Sequence, residues 1–170
     1  MSAANRPEMD EQTLEFANQV IDLARQGDSL RLTELLRQGL PANLRNHKGD
    51  SLLMLASYYG HHDTVAVLLD HGADPDLRNN AGQTPLAGAA FKGDLEMVRL
   101  LLSRGAQVEG ASPDGKTALM MAAMFNRPEI VLCLLEHGAN REARDASGLT
   151  AMAAAKMMGA ADTLALLEAA

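Results

Sequence analysis

At 170 residues, with 47% apolar and 22% charged side chains, the chain has the length and composition of one folded domain with a sizeable core, not of a disordered segment. A net charge of −7 weighs against non-specific binding to nucleic acid and against anionic membrane surfaces, because both depend on surplus Lys and Arg. Two Tyr, three Phe and no Trp, set among abundant Ala, Leu and Met, favour helix over sheet.

The opening MSAANRPEMDEQ has no basic stretch followed by an apolar one, so no secretory leader is expected. Residues 1–12 read as a tail running into the start of a helix. Within EMDEQTLEFANQVIDLARQG, Leu14, Phe16, Ala17, Val20, Ile21 and Ala24 recur at helical spacing and predict an amphipathic helix that stops at Gly27. A second helix then runs to Gly39, before an extended return.

From residue 46 onward the chain repeats itself. Gly49, Gly82, Gly115 and Gly148 are spaced by 33 residues, in the polar turn sequences HKGDS, NAGQT, PDGKT and ASGLT. Two residues after each comes Ser51, Thr84, Thr117 or Thr150, a hydroxyl suited to capping the first amides of a helix. Pro85 follows one of them at a first-turn position. Each short apolar helix is predicted to end at Gly60, Gly93, Asn126 or Gly159, a comb begun by Gly27, where Asn takes a place that favours the left-handed backbone. The second helices carry TVAVLL, MVRLLL, IVLCLL and TLALL, and a third comb, Gly39, Gly72, Gly105 and Gly138, closes the second helix of the first four units. No apolar run approaches the roughly 20 residues of a membrane span.

These segments, most clearly GQTPLAGAAFKGDLEMVRLLLSRGA and GKTALMMAAMFNRPEIVLCLLEHGA, resemble the ankyrin repeat over residues 13–170. The resemblance implies an all-α repeat solenoid of about five stacked units, each a helix-turn-helix with a β-hairpin-like loop, at 13–45, 46–78, 79–111, 112–144 and a shortened 145–170. The first and last units are expected to act as caps, since they lack an outer neighbour. In one respect the chain departs from the family. The usual His of the T-P-L-H motif is replaced by Met54, Ala87, Met120 and Ala153, which puts the usual polar stitching between hairpins in doubt.

The resemblance also implies a protein-binding module rather than an enzyme, and the residues agree. His61, His62 and Asp63 are adjacent, not three or four apart, so they do not share a helical face for a metal. Cys133 falls where Val67, Leu100 and Leu166 fall in other units and reads as a buried thiol. It has no disulfide partner, which suits a reduced, cytoplasmic setting. No phosphate loop or catalytic motif is present, and no cofactor is expected. The rival reading, a metal-binding or redox-responsive protein, would use His61, His62 and Cys133. A nucleic-acid reading, with bases stacked on aromatics, is weakened by the charge.

In the family, hairpin tips and the exposed end of the first helix meet partners. Here the two residues before each helix stop are Arg25 and Gln26, Tyr58 and Tyr59, Phe91 and Lys92, Met124 and Phe125, Met157 and Met158. Tyr58, Tyr59, Phe91, Met124 and Phe125 are therefore candidate anchors for another protein. Arg45, Lys48, Arg78, Lys116 and Arg144 near the hairpins, with Lys92 beside the aromatics, are candidate contacts to an acidic patch on it. The alternative is that the bulky residues only improve stacking between units and the charges are ordinary solvated ones. The protein is expected to be a monomer, with neither nucleic acid nor membrane as partner.

Overall fold

In the computed structural model, which describes residues 10–169, the hydroxyl predicted to start each short helix does so. Ser51 accepts the Met54 amide at 3.0 Å and opens α3 (Leu52–Tyr58). Thr84 opens α5 (Pro85–Lys92), Thr117 opens α7 (Ala118–Met124) and Thr150 opens α9 (Ala151–Met158), each by accepting the amide three residues on. With α1 (Glu11–Gln26) these form an inner row in which each helix contacts the next. The outer row is α2 (Ser29–Arg37), α4 (His62–Asp70), α6 (Leu95–Ser103), α8 (Pro128–Glu136) and α10 (Ala161–Ala169), again in successive contact.

The ten helices of the described residues are packed into one all-α repeat solenoid, and the only β feature among those residues is an isolated bridge between Arg45 and Ser51. Helices of seven to nine residues are marginal alone, so packing between rows must hold them. Leu52, Leu53, Leu68, Leu86, Leu101, Leu119 and Leu134 are all essentially buried. Each stabilises by about 1.5–3 kcal/mol when taken out of water. Cys133 is buried among them, in the row predicted for it.

The helix stops are where the combs put them. Gly60, Gly93 and Gly159 all have positive φ, and so does Asn126 at 56°, the single non-glycine residue with positive φ among those described. The last unit differs from the inner ones on its outer side. Lys156 is exposed at the position of buried Ser57, Ala90 and Ala123, and exposed Glu168 stands where Leu69, Leu102 and Leu135 are partly buried. These two charges give the stack a polar end.

Of the residues that replace the framework histidines, Met54 and Met120 are buried, while Ala87 and Ala153 are partly buried. Polar links between units come from other residues. The Asn80 amide donates to the Lys48 carbonyl at 3.0 Å, and the Asn79 side chain donates to Asp50 at 3.0 Å. Farther along, Arg78 donates to the Ala111 carbonyl, and the Ala146 amide donates to the Asp114 carbonyl at 2.8 Å.

A second set of links comes from residues that precede outer helices. Asp28 and Asp94 cap their own helices by accepting the amides of Arg31 and Met97. The His61 ring instead reaches the Arg25 carbonyl one unit back, Nε2 to O at 2.7 Å, and Arg127 donates to the Phe91 carbonyl at 3.4 Å. Asp28 thus caps only its own helix, His61 and Arg127 tie back to the unit before, and Asp94 does both, since its carboxylate also lies 2.9 Å from the His62 Nε2.

Candidate functional site: an aromatic groove

Tyr58 is the last residue of α3 and Tyr59 its C-cap, so both project from the end of the helix rather than from its packed flank. They are 43% and 54% exposed and meet edge to face, with ring centroids 5.6 Å apart. Phe91 lies in the last turn of α5 and Phe125 is the C-cap of α7. Their rings are 4.7 Å apart and nearly perpendicular, a favourable arrangement that joins two units. The Lys92 ammonium sits 4.4 Å from the centre of the Tyr58 ring and joins the remaining gap through a cation–π contact. The predicted stripe is therefore a row of side chains coupled across three units.

A groove of about 1260 Å³ lies between this row and the hairpins. Its floor includes Met54, Leu55, Pro85, Ala87, Gly88 and Met121, and Tyr58, Tyr59 and Phe91 form one side. Lys48, Asn79, Asn80, Pro113 and Lys116 come from the hairpins opposite. Of the residues singled out from the sequence, the groove thus brings together Tyr58, Tyr59, Phe91, Lys48 and Lys116. Lys92 and Phe125 join through their contacts with Tyr58 and Phe91, while half-buried Met124 stays outside the lining.

The cations expected along the rim fall into two kinds. Arg78 is spent on the Ala111 carbonyl, Arg144 donates to the Gly148 carbonyl at 2.8 Å, and Lys116 pairs with Asp114 at 2.8 Å. That lysine, helped by the Ser112 hydroxyl, holds the Asp114 carboxyl down at about 2, and Asp114 in turn raises Lys116. Arg45 is exposed but does not line the groove. Lys48 and Lys92 make no ion pair among the described residues.

The metal constellation is not assembled. His61 is bound to the Arg25 carbonyl, and the His62 Nε2 lies 2.9 Å from both oxygens of Asp94. Cys133 sits on α8, two outer helices away from α4, with its sulfur 3.9 Å from the His137 Nδ1. That His137 nitrogen lies 2.7 Å from the Cys133 carbonyl at the helix end, as the His71 nitrogen lies 2.8 Å from the Val67 carbonyl. No group of three or more His, Cys, Asp or Glu among the described residues is placed to hold a metal ion. No helix among them is long and apolar enough to cross a membrane.

Two features of the site were not singled out from the sequence. Gly88 at the groove floor was absorbed into an ordinary apolar helix, although its place in the row of Leu55 and Met121 marks it as the small member. The second is the set Asp28, His61, Asp94 and Arg127 at one repeat position, whose bonding partners depend on neighbouring atoms that no pattern displays.

Comparison with known proteins places these observations in a family. The family model for ankyrin repeats (3 copies) matches residues 20–112 and 108–169. A protein of Pseudomonas aeruginosa, named as an ankyrin repeat protein, is 70% identical over 65 residues. That stretch covers 38% of this chain and 38% of the relative's length.

Proposed function

Since the chain belongs to the ankyrin-repeat family, whose repeats generally mediate protein–protein interaction, we propose that it binds a partner protein in the groove between its hairpins and the ends of its inner helices. Tyr58, Tyr59, Phe91 and Phe125 are the anchors, with Met124 at their margin. Lys48 and Lys92, which have no carboxylate partner among the described residues, would meet an acidic patch, and Arg45, Arg78, Lys116 and Arg144 form the outer rim. The protein works by occupancy rather than by catalysis, as a scaffold, inhibitor or regulator in the cytoplasm, and it does so as a monomer.

One observation carries this reading. The inner helices have filled their buried positions with Leu, Met and Ala, yet four aromatic rings, three of them exposed and Phe91 half-buried, are coupled with a lysine in a row beside a groove. Aromatic side chains of this kind supply much of the binding energy in protein interfaces, and a contiguous exposed apolar strip usually marks an interaction site.

The test replaces Tyr59, Phe91 and Phe125 together by Ala and compares capture of partners from the native cell, with the fold followed by circular dichroism. The expected result is a folded variant that captures nothing specific. Undiminished capture by a folded variant would remove the site assignment, and loss of fold would return the aromatics to a packing role.

A further inference from the structure

Gly88 is the one glycine inside a helix among the described residues, and neither backbone nor packing requires it. A Cβ added there meets no atom within 4 Å, and its φ is not positive. Glycine is less favourable than alanine in a helix interior. In the neighbouring inner helices the equivalent positions are Leu55 and Met121, and all three line the groove. The floor therefore drops at Gly88, with Pro85 and Phe91 about one turn to either side on the same face. What the glycine provides is room.

The charges around the groove say what kind of chain would use that room. Arg25, Lys48 and Lys116 line it against two carboxylates, Asp50 and Asp114. Both carboxylates are already occupied, Asp50 by the side-chain amides of Asn46 and Asn79, Asp114 by Lys116 and Ser112. Lys48 on the hairpin side and Lys92 on the helix side have no carboxylate partner among the described residues. A chain of net charge −7 thus presents two unanswered cations across an apolar trough.

We propose that the groove takes a linear acidic segment of the partner, with one bulky apolar side chain seated over Gly88 and carboxylates meeting Lys48 and Lys92. The inference rests on the groove reading of the preceding subsection. It makes Gly88 a determinant of which side chain is accepted, and the flanking lysines steer the segment and fix its register.

The test selects short linear peptides, randomised at every position, from a display library against the purified protein. The expected peptides carry one large apolar residue flanked by Asp or Glu. They should lose about tenfold or more in affinity on Gly88→Leu, since filling a pocket of this size is discriminating, and a similar amount when Lys48→Glu and Lys92→Glu are combined. Gly88→Ala should keep or raise the urea midpoint while weakening the same peptides, so the inference stays testable if the leucine variant does not fold. Selection of basic peptides, selection of none, or peptides that ignore both Gly88 variants would overturn it. So would self-association of the wild-type protein in sedimentation that Gly88→Leu abolishes, which would give the notch to a second copy of the chain. The two readings fail separately. A folded triple aromatic variant that still captures partners ends the groove reading, whereas a triple variant that loses capture beside a Gly88→Leu variant that retains it ends only this inference.

Discussion

The side chain of Asn126 accepts the backbone amide of Thr163 at 3.1 Å, from one unit to the next. The same oxygen accepts the Asp162 amide at 3.1 Å, and the Asn126 amide group donates to the Asp162 carboxylate at 2.9 Å. The residue before α10 is Ala160, which has no polar side chain to offer, so the helix receives its cap from the unit before it. The departure from glycine at this tooth of the comb is a working substitution.

It follows that glycine is the poorer residue here. Asn126→Gly relaxes the positive φ but removes the cap, and should destabilise by about 1 kcal/mol. Asn126→Ala loses the cap and keeps the backbone strain, adding about 1–2 kcal/mol more. Urea melts of the two variants check the order; Gly more stable than Asn would remove the capping role.

Gly93, on the same comb, has a second reason to be glycine that Gly105, on the third comb, lacks. At Gly93 a Cβ would stand 2.8 Å from the Arg127 guanidinium carbon, on top of a φ of +77°. At Gly105, with φ +90°, a Cβ meets nothing within 4 Å. Gly105→Ala should therefore cost about 1–2 kcal/mol by backbone strain alone. Gly93→Ala should cost more, and Arg127→Ala in the same chain should recover the difference in a double-mutant cycle.

Thr64 and Thr163 occupy equivalent places in α4 and α10 and are both buried. The Thr163 hydroxyl donates to the Ala123 carbonyl at 2.7 Å, whereas the Thr64 hydroxyl has no hydrogen-bond partner. Thr163→Val is expected to cost about 1 kcal/mol, and Thr64→Val to be neutral or stabilising, because it removes an unsatisfied buried group. Thermal melts check the pair: Thr163→Val should lower the midpoint and Thr64→Val should leave it unchanged or raise it.

Acid should loosen the hairpin of Asp114. A carboxyl held at about 2 against an ordinary 3.8 favours the folded state when ionised, and that contribution is present above pH 4. It fades as pH falls from about 4 to about 2, where the carboxyl protonates in both states. The group is exposed, so water screens the effect and the change is small. Asp114→Asn should remove this part of the acid slope and leave stability above pH 5 only slightly lower, as read from denaturant midpoints across the range.

Much of the architecture could be read from residues whose backbone geometry is local. Glycines in turns, hydroxyls at helix starts and Asn126 at a left-handed stop act within a few residues, so Ser51, Thr84, Thr117 and Thr150 announce their helices unaided. The exposed ends of the inner helices were legible for the same reason, once the register was set. What escaped lies between units. That Lys92 covers Tyr58, that Arg78 is spent on a carbonyl and that Asn126 serves α10 all depend on residues about one repeat away. A periodic pattern says such residues are neighbours without saying which atoms meet.

The coupling of the aromatic row has a mechanical consequence. Lys92 touches Tyr58 across the same gap that the Asn80–Lys48 link spans at the hairpins, and Phe91 touches Phe125 across the next. Because each unit leans only on its neighbours, the stack bends like a short spring whose curvature is the sum of those gaps. The tie between Asn80 and Lys48 and the ring contacts opposite thus hold neighbouring units from two sides. A substitution at one of these joints therefore alters the angle between two units, and every unit beyond it moves with the change.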